Sequence, residues 1–357
     1  MPANEATAKY IFEAIRARGK CGVALLIGAG CSKTAEIPDA NELSAMIRER
    51  WPERCQGSPD KGKSEYEWLT DKLSPGEFRR LFASRVHDPR PNVAHICIAE
   101  LVNQGVVDRV LTTNFDSLLI HACAMGQRFP LIHDCSVAEE VDDWIDEEGS
   151  AIFYLHGHDH GRRMLNPGKL HTPEVERARA PTVAGEVAPA RMQATPLEES
   201  TNDRWGRVSR IVMGTIRRRL LIVCGYSGLS DKVFDALRQA DEIENPVFWM
   251  AYGPQDKDNV FKQFESSKLE NRIYVIEKYG ADEFFYQLLL ELEKEPPSWL
   301  RTPGDMTTLA TDRICWPKDL EWEAWKEARR KGLSGLAPSD DRLKDLEMTK
   351  EPPPWRE

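Results

Sequence analysis

Val23 to Lys33 reads V-A-L-L-I-G-A-G-C-S-K, an apolar run that closes on Gly28-Ala29-Gly30 and then on the small pair Cys31 and Ser32. Such a run, followed at once by glycine, predicts a buried strand turning into a loop whose backbone N–H groups can face an anion. Glycine suits this turn because a Cβ would hold the backbone away from a pyrophosphate. Ordinary strand-to-loop turns also use G-x-G for backbone reasons alone, so the rest of the chain must decide between the two.

Working outward, the chain has the length and apolar content for a sizeable core, either as one large domain with an insertion or as two domains. The formal net charge of −10 makes duplex nucleic acid an unsuitable default partner, and direct nucleic-acid binding is not indicated. The opening residues carry no basic segment leading into an apolar one, and no apolar run reaches membrane-spanning length. A cytoplasmic protein without a membrane partner is expected. The 8 cysteines include no C-x-x-C pair, which points to reduced thiols and against a zinc ribbon. Cys31, beside the glycine turn, fits a reactive thiol but reads better as a small residue chosen for space.

The pattern alternates helix and strand. A helix over 6–18 precedes the first strand, 22–27, and amphipathic segments over 41–50, 66–73, 76–86 and 92–104 follow. Further strands are expected at 109–111, 151–155, 220–224, 247–251 and 273–276, with helices near Ser117 and over 137–148, 205–218 and 281–292. The reading is therefore an α/β fold: a Rossmann-like open parallel sheet of about six strands with helices on both faces. Residues 1–295 form the expected catalytic domain, with helical insertions at about 40–92 and 161–205. Residues 296–357, rich in Pro, Trp and charge, form a docking or partly disordered tail. A dehydrogenase fingerprint is not met: Lys33 stands where a third glycine belongs, and no second strand ends in an acid about 20 residues on.

Four strand ends carry G-A-G-C-S (28–32), T-T-N-F-D (112–116), L-H-G (155–157) and G-Y-S (225–227), and in a parallel sheet such ends share one edge. In order and interval these elements, with I-P-D at 37–39, resemble the SIR2 (sirtuin) family over roughly residues 22–292. The resemblance implies NAD as substrate, with no metal required for catalysis. Gly28, Ala29, Gly30 and Ser32 would hold its pyrophosphate, and Pro38 and Asp39 would lie near the nicotinamide end. Asn114 and Asp116, with Thr113 beside them, would orient the nicotinamide ribose and amide. Gly225, Tyr226, Ser227 and Asp231 would contact the phosphate and adenosine side, and His156 would be the base.

Departures from the deacylase pattern matter as much. The two zinc-binding C-x-x-C pairs are absent, Ala40 and Asn41 follow I-P-D where the deacylases have an arginine, and Thr113 replaces their usual glutamine. These changes resemble divergent bacterial SIR2-like effectors of anti-phage, abortive-infection defence, which hydrolyse NAD to ADP-ribose and nicotinamide. That implies a homo-oligomer and a defence-system partner such as a HerA-type ATPase. A sensor of NAD or ADP-ribose with little turnover is the alternative, and protein deacylation a third. On the residues alone, Asn114 and Asp116 also fit an Asx turn capping a helix. Tyr226 also fits a core position, Asp231 a helix N-terminal acid, and H-x-H-D-H at 156–160 approaches a hydrolase metal motif one spacer short.

Overall fold

The computed structural model describes residues 4–5, 8–18, 22–59, 64–85, 89–126, 128–135, 148–160, 201–228, 232–240, 243, 245–277 and 279–292. Asp231, the acidic segment 137–147, the insertion 161–200 and the tail 296–357 lie outside them. Among the described residues eight strands form one sheet: β1 (Asn4–Glu5), β2 (Val23–Ile27), β3 (Val107–Thr112), β4 (Leu131–Asp134), β5 (Ala151–Tyr154), β6 (Leu220–Cys224), β7 (Val247–Ala251) and β8 (Ile273–Glu277). Their order is β1-β8-β7-β6-β2-β3-β5-β4, and every pairing is parallel. The Rossmann-like α/β architecture is thus observed, with two more strands than the sequence suggests, one at each edge.

Every residue of β2, β3, β5, β6 and β7 is buried, as strands covered on both faces require. Side chains alternate between two cores. Val23, Leu25 and Ile27 of β2, with Leu220, Ile222 and Cys224 of β6, face one layer. That layer comprises α1 (Ala8–Arg18), α5 (Val93–Asn103), α6 (Leu118–Met125) and α10 (Ala281–Glu291). Ala24, Leu26, Leu221 and Val223 face the other, formed by α7 (Thr201–Arg217), α8 (Lys232–Arg238) and α9 (Pro254–Phe264). Each fully buried Leu or Ile contributes about 1.5–3 kcal/mol relative to exposure, so a one-residue register slip in β2 would expose several such side chains to the wrong layer.

The region after the glycine turn forms a small helical module: α2 (Ala40–Arg50), α3 (Glu65–Thr70) and α4 (Pro75–Arg85). Leu43, Ile47, Trp68, Leu69, Phe78, Leu81 and Phe82 build its core, which closes on Phe115 from the loop after β3 and on Leu118 at the start of α6. Phe78 and Phe82 meet the Phe115 ring edge-on at 5.5 and 6.1 Å, so the module is anchored on the T-T-N-F-D loop.

The chain runs from β2 to β3, on to β4 at the edge and back to β5 between β3 and β4, then crosses to β6 and runs the other way through β7 to β8. The reversal lies between β2 and β6, where open α/β sheets form their ligand crevice.

Candidate active site

Register brings the strand tips into one row. Ile27 pairs with Thr112 and with Cys224, and Tyr154 pairs with Thr112 and with Asp134. Backbone bonds lace the loops beyond the row. The Gly28 N–H donates to the Cys224 carbonyl (3.0 Å), Thr113 N–H to Ile27 (3.1 Å) and Leu155 N–H to Thr112 (2.9 Å). Asp159 N–H donates to the Phe115 carbonyl at 2.8 Å, so the loops carrying His156 and Asn114 are clasped on both sides of those two residues.

At the centre is a buried hydrogen-bonded group. Ser32 is fully buried in the middle of the 3₁₀ segment 29–35 that follows β2, and its Oγ donates to Asp116 Oδ2 at 2.9 Å. It accepts from Asn114 Nδ2 at 3.0 Å and lies 3.2 Å from His95 Nε2. The Asn92 N–H donates to His95 Nδ1 at 3.3 Å within a capping box at the start of α5, which leaves the proton of the neutral ring on Nε2, aimed at Ser32. The donor direction is therefore fixed from Asn92 through His95 and Ser32 to Asp116. Asp116 Oδ1 accepts the Leu118 N–H at 3.2 Å, so this residue is both the Asx turn leading into α6 and a member of the polar group. Asn114 is 6% exposed and its Oδ1 has no hydrogen-bond partner among the described residues, an acceptor inside a buried cluster that a ligand donor would satisfy.

Burial sets the electrostatics. It pushes the Asp116 carboxyl up to about 6 against the Ser32 and Leu118 bonds that favour the anion, with Asp159 adding to the rise. It pushes the His95 imidazole down to about 4, the nearby Asp282 opposing. At neutral pH the pair is therefore an ionised Asp116 beside a neutral His95, 3.9 Å from Nε2 to Oδ1. A second group braces the first: Asn92 Nδ2 donates to the Cys31 carbonyl (2.8 Å) and to Thr34 Oγ1 (2.7 Å), and Thr34 donates to Asp282 Oδ2 (2.6 Å). Asp282 Oδ1 accepts the Ala94 N–H at 2.7 Å, locking α10 to the first turn of α5.

The glycines of the two central loops face each other. The Gly30 N–H donates to the Gly225 carbonyl at 2.9 Å, and Cys31 N–H returns to Gly28. A Cβ on Gly225 (φ +65°) would stand 2.2 Å from the Cys31 nitrogen, and one on Gly28 would stand 2.6 Å from the Gly225 oxygen. The N–H groups of Gly28, Gly30 and Cys31 are thus used within the protein, and the small residues are required by loop-against-loop contact. Cys31 is fully buried, and a hydrogen bond with Cys224, then burial, holds its thiol protonated, as the packed reading expects.

The remaining sequence-derived positions divide clearly. His156 is buried at the tip of β5. Pro38 is buried and Asp39 half-buried, but Asp39 is the N-cap of α2: its Oδ1 accepts from Asn41 and Glu42 N–H at 2.9 Å each, and its Oδ2 binds Lys33 Nζ at 2.7 Å. Burial would raise this carboxyl, yet Lys33 and the helix N–H groups hold it below its ordinary value. Tyr226 lies in the core, its ring 5.9 Å from that of Trp249. Thr113, Ala29 and Gly30 are half-buried and Ser227 is exposed. Sequence reasoning missed His95, Asn92, Thr34 and Asp282. The signal for the first two was present, since an Asn three residues before a ring nitrogen at a helix start has capping-box spacing. Around 156–160, His158 Nε2 stands 4.0 Å from Asp134 Oδ2, and among the described residues no three His, Cys, Asp or Glu side chains converge as ligands would.

Fold and site together define an open parallel α/β protein with a buried Ser–Asn–Asp–His group at its switch point. The sequence matches no family model and no curated protein. It is similar to solved structures of Sir2 proteins. A Sir2 homologue in complex with NAD aligns at 16% identity, covering 82% of this chain and 96% of that one, with a TM-score of 0.44. Sir2Tm bound to a propionylated peptide aligns at 14% identity over 80% of this chain and 98% of that one, with a TM-score of 0.40. Among the described residues no helix is long and apolar enough to cross a membrane.

Proposed function

We propose that this chain hydrolyses NAD to nicotinamide and ADP-ribose. The observation that carries the reading is the buried Ser32–Asn114–Asp116 group, which presents, at the C-terminal edge of the sheet beside the His156 loop, an amide oxygen with no partner among the described residues. Asn114 Oδ1 accepts a ribose hydroxyl of the nicotinamide nucleoside, and the ionised Asp116 faces the positive charge that develops on the sugar as the C–N bond lengthens. Nicotinamide leaves with the bonding electron pair, neutralising its ring. Water then adds to the ribosyl carbon, and His156 takes the proton that this water sheds. Of the glycine turn, the half-buried Ala29 is the residue left to approach the pyrophosphate, with the exposed Ser227 from the opposite loop. Gly28, Gly225 and Ser32 support this surface from behind.

The motif resemblance supplies the setting: an effector of bacterial anti-phage defence, in the cytoplasm, working as a homo-oligomer with a HerA-type ATPase or comparable partner that restrains NAD loss. The absence of both C-x-x-C pairs and the Ala40-Asn41 sequence after I-P-D favour water over an acyl-lysine as acceptor. Purified protein, alone and with the products of adjacent genes, is incubated with NAD and free nicotinamide is followed. Release dependent on Asn114 and His156 supports hydrolysis. Tight ADP-ribose binding without release supports the sensor reading.

A further inference from the structure

The polar group at β3 and β5 deals with one end of a ligand, and the tip of β7 carries a feature of a different kind. Tyr252 directly follows Ala251, the last residue of β7, and is 58% exposed. Among the described residues it is the one large aromatic left exposed at the C-terminal edge of the sheet. Tyr10 lies on α1, and Phe129 precedes β4 at the opposite edge. The ring does not swing freely. Its hydroxyl donates to the Gly30 carbonyl at 2.9 Å, and its Cε2 edge rests on Gly30, where an added Cβ would stand 3.2 Å away. Gly30 is therefore pressed between the Gly225 backbone on one side and Tyr252 on the other. A phenol fixed by its tip and one edge, with more than half its surface in solvent and no ring among the described residues stacked on it, is a ready-made platform for a flat partner.

Sheet order says which flat partner. The reacting ribose belongs over β3 and β5, and the walk from β3 to β7 passes β2 and β6. At about 4.8 Å per strand this is roughly 14 Å, a reach suited to a dinucleotide and beyond a mononucleotide. We propose that Tyr252 is the stacking platform for the adenine base, and so the residue that makes the site prefer a dinucleotide. This assignment rests on the NAD reading above.

Titration of the full chain with ADP-ribose, which carries the adenine, and with nicotinamide mononucleotide, which lacks it, tests the proposal. Tyr252→Ala raises the Kd for ADP-ribose about tenfold, as loss of a base–aromatic stack does, and leaves that for nicotinamide mononucleotide unchanged. Tyr252→Phe keeps the ring, loses only the bond to Gly30, and stays within about threefold of the unsubstituted protein. An unchanged ADP-ribose affinity in Tyr252→Ala, or an equal loss for both ligands, overturns the assignment. Failure of the unsubstituted chain to bind either ligand instead overturns the NAD reading on which it stands.

Discussion

The two halves of the sheet's C-terminal edge are built on opposite plans. On the β3 and β5 side, polar side chains are buried and bonded to one another: Asn114 and Asp116 converge on Ser32 and His95, and the loop of His156 is clasped to theirs. On the β2 and β6 side, side chains are nearly eliminated, and Gly28, Gly30 and Gly225 meet backbone to backbone. Burying four polar groups is costly unless every donor direction is settled, and Asn92 settles it by fixing the tautomer of His95. The glycine side has no such chemistry; it brings β2 and β6 close enough for the polar side to have a floor. One half is therefore expected to respond to substitution in turnover, and the other in folding.

The largest contrast lies in turnover. Asn114→Ala and His156→Ala lower nicotinamide release at least about a hundredfold, the scale of a lost positioned base or charge-stabilising group, while both variants keep a cooperative thermal transition. Circular dichroism beside the nicotinamide assay checks both halves of this statement. Gly225→Ala does the reverse: a Cβ 2.2 Å from the Cys31 nitrogen at a φ of +65° destabilises the fold by about 3 kcal/mol or more, read in chemical denaturation. A Gly225→Ala protein of unchanged stability would break the division between the two halves.

How far this division could be read from sequence differs between the halves. Six strands were legible because β2, β3, β5, β6, β7 and β8 are apolar runs between helical segments. β4, with His133 and Asp134 in a half-exposed edge strand, and the two-residue β1 owe their form to pairing with a neighbour. Asn114 and Asp116 were legible because they follow a strand directly. His95 was not, since a single imidazole among Val93, Ala94 and Ile96 has the look of a helix core, and only the three-dimensional approach of Ser32 gives it a partner. The glycine turn was visible as glycine, but the sequence does not say that Gly225, nearly 200 residues on, is what it must accommodate.

The pH response sharpens the polar half further. Asp116 has its pKa raised from 3.8 to about 6, so it contributes stability that is present in acid and lost as pH rises through about 6. His95 has its pKa lowered from 6.5 to about 4, so it contributes stability that is present above 6.5 and lost as pH falls through about 4. Between about 4 and 6 the two trends oppose each other, and the stability profile of the intact protein is flat where either group alone would slope. His95→Gln removes one trend and leaves a variant that gains stability on acidification through that window. On the proposed mechanism turnover needs Asp116 ionised, so nicotinamide release by the intact protein falls below about pH 6. The smallest effect belongs to the exposed Ser227: Ser227→Ala leaves stability within about 0.5 kcal/mol and raises the KM for NAD only a few-fold, by loss of one hydrogen bond.

The most direct test is the stoichiometry of products formed from NAD by the purified protein, alone and assembled with its neighbouring gene products, followed by proton NMR. The account predicts nicotinamide and ADP-ribose in equal amounts, without an acyl-lysine acceptor, and at least about a hundredfold less of both from Asn114→Ala. No nicotinamide from any assembled form, or the same release from Asn114→Ala and His156→Ala as from the unsubstituted protein, would contradict it.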